Sequence, residues 1–323
     1  MSLPLPVPKG SDSHVINRSL LMKKVMFFLA MFLCGLSQSY AQDGATVFSE
    51  ENHAYLKEME DTLALLAYAV INDSLPEHRF GACREMIPKL VNALKVKNSF
   101  QYPFERLQSV SIQYPQDSSF RIFTWQLYVD KDDYRYYGAI QMNSPELKLY
   151  PLIDRSFKIE DEEHAALTPE EWYGSVYYRL MEVEGPQGKY YLLFGFDGYS
   201  FFRKRKLIDV LSFQDGQPVF GAPVFVYEGN QRKHRVVREY SAEVSTRCNY
   251  DDLLELIIFD HFIEQNGPYG EGPVNYPDGS YEAFRLEGGL WWHVDKVFDQ
   301  ISDEAPRPAP ILDNRTKDIF GKQ

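Results

Sequence analysis

"FRIFTWQLYVDKDDYRYYGAIQM", residues 120–142, alternates Phe123, Trp125, Leu127 and Val129 with Thr124, Gln126 and Tyr128. A period of two sends successive side chains to opposite faces of a pleated strand, whereas a helix would group its apolar residues every three or four positions. Four polar residues, Asp130–Asp133, interrupt the run before "YRYYGAIQM" resumes it. A gap that short joins only antiparallel neighbours, so the stretch reads as a β-hairpin.

The same period recurs downstream in "LKLYPLI", "SVYYRLMEV", "YYLLFGF", "QPVFGAPVFVY", "RVVREYSAEVS", "LLELIIF", "YEAFRL" and "LWWHVDKVF". Short connectors separate several of these runs: Gly185 to Gly188, Asp215-Gly216, Glu228-Gly229-Asn230 and Glu287-Gly288-Gly289. Around ten strands so joined predict a mainly antiparallel β domain over residues 106–300, built as a large meander, a sandwich or a barrel. "YYLLFGF", Tyr190 to Phe196, is apolar on both faces and is expected in the middle of the sheet. With 15% aromatic residues, including 22 Tyr and 22 Phe, the composition suits pleated, half-buried surfaces.

Residues 42–105 carry a different period. Tyr55, Met59, Leu63, Leu66, Ala67 and Val70 form one helical stripe, and Phe80, Cys83, Ile87, Leu90 and Leu94 a second. Ser74 and Glu77 have the spacing of a capping box between them, and Pro88 is expected to kink or split the second helix. The fold class is therefore α+β, an N-terminal helical hairpin followed by antiparallel β structure.

The beginning of the chain reads as a leader. From Met22, Lys23 and Lys24 precede an apolar run, Val25 to Leu36, and a small-x-small site, Ser39-Tyr40-Ala41. That order is a secretory signal peptide over 22–41, with residues before Met22 a start-site extension. The apolar run is too short to span a bilayer, and the large Met31, Phe32 and Leu33 before Cys34 disfavour lipidation. No transmembrane segment is expected after cleavage, and "DEAPRPAPILDNRTKDIFGKQ" reads as a loosely ordered tail over 301–323. The expected location is the periplasm, the outer surface or the medium.

With 34 Lys and Arg against 46 Asp and Glu, the net charge is -12. Residues 1–41 hold four of the cations (Lys9, Arg18, Lys23, Lys24) and one acid (Asp12), so without them it becomes -15. A nucleic acid partner is not expected at such a balance. Cys83 and Cys248 remain after cleavage, and export permits a disulfide between them as readily as two buried thiols.

Chemistry-bearing patterns are few. Asp130 to Gln141 begins like a twelve-residue calcium loop but places Tyr134 fifth, Arg135 where glycine is required and Gln141 where a bidentate carboxylate is required. The seven histidines form no His-Glu-x-x-His, and no metal site or cofactor is expected. "WYGSVYY" lacks the glycine spacing of a nucleophile elbow around Ser175. Asp260-His261 closes an apolar strand and could sit at a pocket rim. Asp209 shares a strand face with Leu207, Leu211 and Phe213, where its carboxylate needs a cation such as Arg203 or Arg205 or backbone donors. In "GFDGYSFFRKRKLIDV", residues 195–210, the four cations of a single strand alternate faces, which reads as an electrostatic fastening to internal acids, Glu160 to Glu163 among them, rather than as a phosphate loop. Trp172-Tyr173 and Trp291-Trp292 could stack on sugar rings if displayed, and as core residues otherwise.

"KYYLLFGFDGYSFFRKRKLIDVLSFQDGQPVFGAPVF" (189–225), "REYSAEVSTRCNYDDLLELIIFDH" (238–261) and "PDGSYEAFRLEGGLWWHVDKVFD" (277–299) resemble segments shared by a group of uncharacterised exported proteins of Bacteroidetes-type bacteria, a domain of unknown function. The resemblance implies export and supplies no active-site residue. Two functional expectations follow from the residues: a non-enzymatic binding or structural module of the cell envelope, partnered by a glycan or another envelope protein, or a polysaccharide hydrolase drawing its acids from Asp197, Asp209, Asp260 and Asp278.

Overall fold

The computed structural model describes residues 48–297. The leader and the tail read from the sequence lie outside the described residues. Two helices open the described chain, α1 (Glu50–Asn72) and α2 (Pro76–Leu94). The inward face of α1 is Leu56, Glu60, Leu63, Ala67 and Val70, rotated from the expected stripe so that Tyr55 is left partly exposed, at 38%, and a carboxylate is buried. Two donors explain the burial: Tyr102 Oη donates to Glu60 Oε2 at 2.6 Å and the Arg106 amide to Oε1 at 2.7 Å.

The expected Ser74/Glu77 box does not form. Leu75 is the N-cap, Pro76 opens the first turn with its fixed φ, and Asp73 Oδ1 accepts the Leu75 amide at 3.0 Å. Pro88 does not split α2, which continues as one helix with that ring exposed. Arg79 is drawn inward by two carbonyls, donating from Nε to Tyr128 O and from Nη1 to Asp73 O.

Fifteen strands follow. β1 (Ser111–Gln113), β2 (Phe120–Asp130), β3 (Asp133–Met142) and β4 (Leu149–Ile153) form one antiparallel sheet in sequence order. Next come β5 (Val176–Gly185), β6 (Gly188–Asp197), β7 (Arg203–Gln214), β8 (Gln217–Phe220), β9 (Phe225–Val226), β10 (Arg232–Lys233) and β11 (Val236–Ser241). The last four are β12 (Cys248–Asp251), β13 (Leu256–Asn266), β14 (Pro273–Glu287) and β15 (Leu290–Val294). The second sheet runs β11-β7-β6-β5, with β8 beside the far half of β7, and the third runs β10-β9-β15-β14-β13-β12. Every pairing is antiparallel except β9 with β15. The fold class is thus α+β with antiparallel sheets, and the larger β part is three packed sheets.

The packing order follows from which side chains meet. Phe120, Ile122, Tyr136 and Ile140 of the first sheet share a core with Tyr177, Tyr191, Leu193, Leu207 and Leu211 of the second. Leu192, Phe194, Ile208 and Val210, on the opposite face of the second sheet, meet Phe225, Ile257, Phe259, Phe284 and Trp291 of the third. β6 is therefore covered on both faces, which is why "YYLLFGF" lacks alternation. β2 is likewise buried on both sides over Phe120–Trp125, its outer face lying under the helices.

One strand starts later than its sequence suggests. β13 begins at Leu256, and Leu253 is 95% exposed in the turn before it, where Glu255 takes a positive φ of 54°.

Candidate functional site

A cleft of about 700 Å³ opens where the ends of the first and second sheets meet. Its walls come from the start of β3, the end of β4 with the turn after it, Tyr173, and the β6–β7 turn. Two aspartates define its floor by the same local device. Asp154, one residue past β4, accepts the Ser156 amide and hydroxyl on Oδ1, at 3.0 and 2.8 Å. Asp197, the last residue of β6, accepts the Tyr199 amide on Oδ1 at 2.8 Å. Each is an Asx-turn that ends a strand by giving the backbone a side-chain acceptor two residues back.

Tyr136 ties the two together. Its amide donates to Asp154 Oδ2 at 3.2 Å, and its hydroxyl donates to Asp197 Oδ1 at 2.8 Å while accepting the Gly198 amide at 2.6 Å. The carboxylates are thus held at the backbone and the phenolic end of one residue. Burial pushes the Asp154 carboxyl above the usual range, with the Ser156 donors pulling the other way. Burial also raises Asp197, aided by the charge of Asp154 and opposed by Tyr136, Tyr199 and Arg205.

The wall facing them is built on Arg205. Its Nη1 donates to Tyr173 Oη at 2.8 Å and pairs with Glu162 at 3.0 Å, and its other side pairs with Glu239 at 3.0 Å. Burial works to lower the Arg205 pKa, but Tyr173 and Glu162 outweigh it and hold the guanidinium above its ordinary value. Arg203 also reaches Glu239 at 3.1 Å, so both arginines of the quoted turn are fastened to acids. Lys204 and Lys206 point to the other face, where each lies over the Phe196 ring.

Asp209 has a different partner from those two arginines. Arg235 Nε lies 2.9 Å from Asp209 Oδ1, and both side chains are fully buried. The Val210 amide and Tyr177 Oη donate to the same carboxylate. β11, next to β7, delivers Arg235 from the residue just before Val236, a pairing across some 26 positions that no local pattern announces.

Of the remaining sequence candidates, only Tyr173 lies in the cleft wall, and the others scatter. Trp172, Tyr173 and Trp291 are fully buried, so none of these rings is displayed. Trp172 Nε1 donates to Tyr177 Oη at 2.8 Å, and Trp291 belongs to the core between the second and third sheets. Trp292, its neighbour on β15, points outward. Asp260 and His261 sit at a bulge of β13 in the third sheet, away from the cleft lining. Asp260 Oδ2 accepts the Arg247 amide at 2.5 Å, and His261 Nδ1 lies 3.0 Å from Asp278 Oδ2. Of the four acids expected for hydrolysis, only Asp197 faces the cleft.

Cys83 and Cys248 are free thiols, both buried. Cys83 faces the first sheet from α2 and Cys248 lies on β12 of the third, so the three-sheet stack separates them. Burial raises both thiols, Cys248 to about 11. Asp130–Gln141, the stretch tested as a calcium loop, is the β2–β3 hairpin. No group of metal-ligating side chains occurs among the described residues, and no helix among them is long and apolar enough to cross a membrane.

Sequence reasoning missed Asp154, Tyr136 and Tyr199. The local signal for Asp154 was present in "LIDRS", an Asp followed two residues later by Ser at the end of an apolar run, which is an Asx-turn pattern. No family model, curated protein or solved structure matches this chain.

Proposed function

We propose that this chain is an exported, non-enzymatic binding module of the cell envelope whose cleft takes a segment of glycan. The observation that carries the reading is the joint presence, in one cavity of about 700 Å³, of the partly exposed Tyr134, Tyr137 and Tyr199 rings, the exposed Phe157 ring, carboxylates and guanidinium groups. Sugar rings present apolar C–H faces that rest on flat rings, and hydroxyls that need both donors and acceptors. A cleft of this size and mixed lining suits one or two such rings. The leader sequence and the resemblance to exported proteins support the location, and the net charge of -15 without residues 1–41 favours an uncharged or weakly charged glycan over a polyanion.

One observation favours a hydrolase instead: two carboxyl groups of raised pKa line the same cleft. Their hydrogen bonds argue against it. Both oxygens of Asp154 are taken by Ser156 and Tyr136, Asp197 Oδ1 is taken by Tyr136 and Tyr199, and Asp197 Oδ2 faces the buried Tyr173 hydroxyl at 3.5 Å. A general acid must present its proton to the substrate, and these groups spend their oxygens on holding turns.

Calorimetric titration of the mature chain with soluble peptidoglycan strands and with cello-oligosaccharides tests the reading, with the mixtures chromatographed afterwards. Saturable binding with the saccharides intact is the expected result. New reducing ends would establish the hydrolase, and no heat with either glycan would remove the binding function.

A further inference from the structure

Beyond the cleft, the β6–β7 turn carries aromatic side chains that the core does not use. Phe201 is 54% exposed and Tyr199 39%, and Tyr269 from the β13–β14 turn is 70% exposed. The Phe202 and Tyr269 rings stack at 6.2 Å with planes 30° apart, and Phe201 meets Phe202 edge-on at 5.0 Å. Lys131 lies over Phe201 and Phe202 at 4.9 and 5.5 Å. Exposed rings on a slack loop would be unremarkable surface, but this turn is fastened at several points. The Phe201 amide donates to Asp132 Oδ1 at 2.9 Å, the Ser200 amide to Arg203 O at 3.0 Å, and the Ala242 amide to Phe202 O at 2.8 Å.

A second hollow of about 500 Å³ lies on this surface, and it shares Asp132 and Tyr199 with the first cleft. Phe202 gives it an apolar side, and Ser200, Arg203 and Glu271 supply donors and acceptors. The two hollows are therefore consecutive stations along one surface path, with the Tyr199 ring between them. Each offers the same chemistry, a flat ring beside hydrogen-bonding groups.

We infer that the surface formed by Phe201, Phe202 and Tyr269 is a second subsite, which binds the next sugar rings of the glycan held in the cleft. The occupant follows from continuity: a chain leaving the cleft past Tyr199 meets this surface next. The inference rests on the reading of the cleft as a glycan site and adds that the ligand is a polymer bound along its length, so affinity grows with the number of sugar units. Rigid aromatic platforms favour such binding because little conformational freedom is lost on contact.

The test is calorimetric titration of the mature chain with di-, tetra- and hexasaccharides, prepared from peptidoglycan strands and from cellulose. It is repeated on the double variant Phe201→Ala/Tyr269→Ala, whose two side chains lie at the surface and whose unchanged melting temperature serves as the folding control. The hexasaccharide of one series is expected to bind about three- to tenfold tighter than its disaccharide, the scale of one or two aromatic contacts. The double variant should lose that gain and keep the disaccharide affinity. Equal affinity at all lengths, or a length gain that survives in the variant, would overturn the subsite while leaving the cleft intact. No binding at any length would remove the cleft reading and the subsite with it.

Discussion

The guanidinium carbon of Arg205 lies 3.5 Å from the centroid of the Tyr199 ring. Tyr199 takes a positive φ of 47°, uncommon for a bulky residue, and the stacking arginine together with the Asp197 carboxylate holds it there. One cation thus fixes the ring that divides the two hollows and at the same time joins Glu162, Glu239 and Tyr173. The stretch that looks like an anion grip is a clamp that turns its arginines inward and its aromatic rings outward.

Removing that clamp has a predictable cost. The Arg205 side chain is 14% exposed, so Arg205→Ala strands two glutamates in a partly desolvated site and is expected to destabilise the fold by about 3 kcal/mol. Arg203, at 36% exposed, is a milder case, and Arg203→Ala should cost within about 1 kcal/mol. Urea unfolding of the two variants checks the order; equal losses would show that Arg205 is no more than a surface ion pair.

A larger penalty is expected at the fully buried pair. Asp209→Asn leaves Arg235 charged and without its carboxylate, and should cost about 3–5 kcal/mol in the same measurement. Replacing both, as Asp209→Leu with Arg235→Met, removes the two desolvated charges together and should recover most of that loss. A double variant as unstable as the single one would mean that the pair contributes through its other hydrogen bonds, to Tyr177, the Val210 amide and Glu162 O.

These sites also show where the sequence is legible. Strand periodicity and short polar connectors predict the β2–β3, β5–β6, β7–β8 and β14–β15 hairpins, because those signals are local. The stacking of three sheets is not local, and only the two-sided burial of Tyr190–Phe196 hints at it. The site was harder for the same reason. Trp172 and Trp291 read more readily as core than as displayed rings, and they are core, but the sequence does not say which layer covers them. Asp154 and Asp197 lie 43 positions apart and meet only through Tyr136, which is read from the sequence as one more strand residue.

The cleft carboxyls give a pH signature. Burial raises the folded-state pKa of Asp197 above that of the unfolded chain, so the folded protein holds this proton more tightly. Its contribution to stability is present below the ordinary carboxyl range and is lost as pH rises through the raised value. Asp197→Asn has nothing to ionise and keeps acceptors for Tyr136 and Tyr199. Its stability relative to the parent should therefore increase from acid to neutral pH; a difference that is flat, or that falls, would show that Arg205 and the hydrogen bonds outweigh burial.

The two free thiols predict indifference to redox conditions. Because Cys83 and Cys248 lie in separate layers and burial keeps both protonated, reductant should leave the melting temperature unchanged. Mass spectrometry of the alkylated, unfolded protein should find both thiols labelled without reduction. A mass two units lower and resistance to labelling would establish a bridge.

Gly174 offers the sharpest test of how the cleft floor is held. Its φ is 77°, and a Cβ built there would run into the Asp154 carboxylate. Gly174→Ala therefore carries two penalties, the left-handed backbone of a residue with a side chain, about 1–2 kcal/mol, and displacement of Asp154 from the Ser156 and Tyr136 donors. The sum should reach about 3 kcal/mol, and the shifted floor should weaken the glycan binding proposed for the cleft. The two parts separate in a double-mutant cycle: with Asp154→Ala already in place the carboxylate is gone, and adding Gly174→Ala should cost only the backbone part. If Gly174→Ala costs the same in both backgrounds, the contact with Asp154 has no energetic consequence and the glycine serves the turn alone.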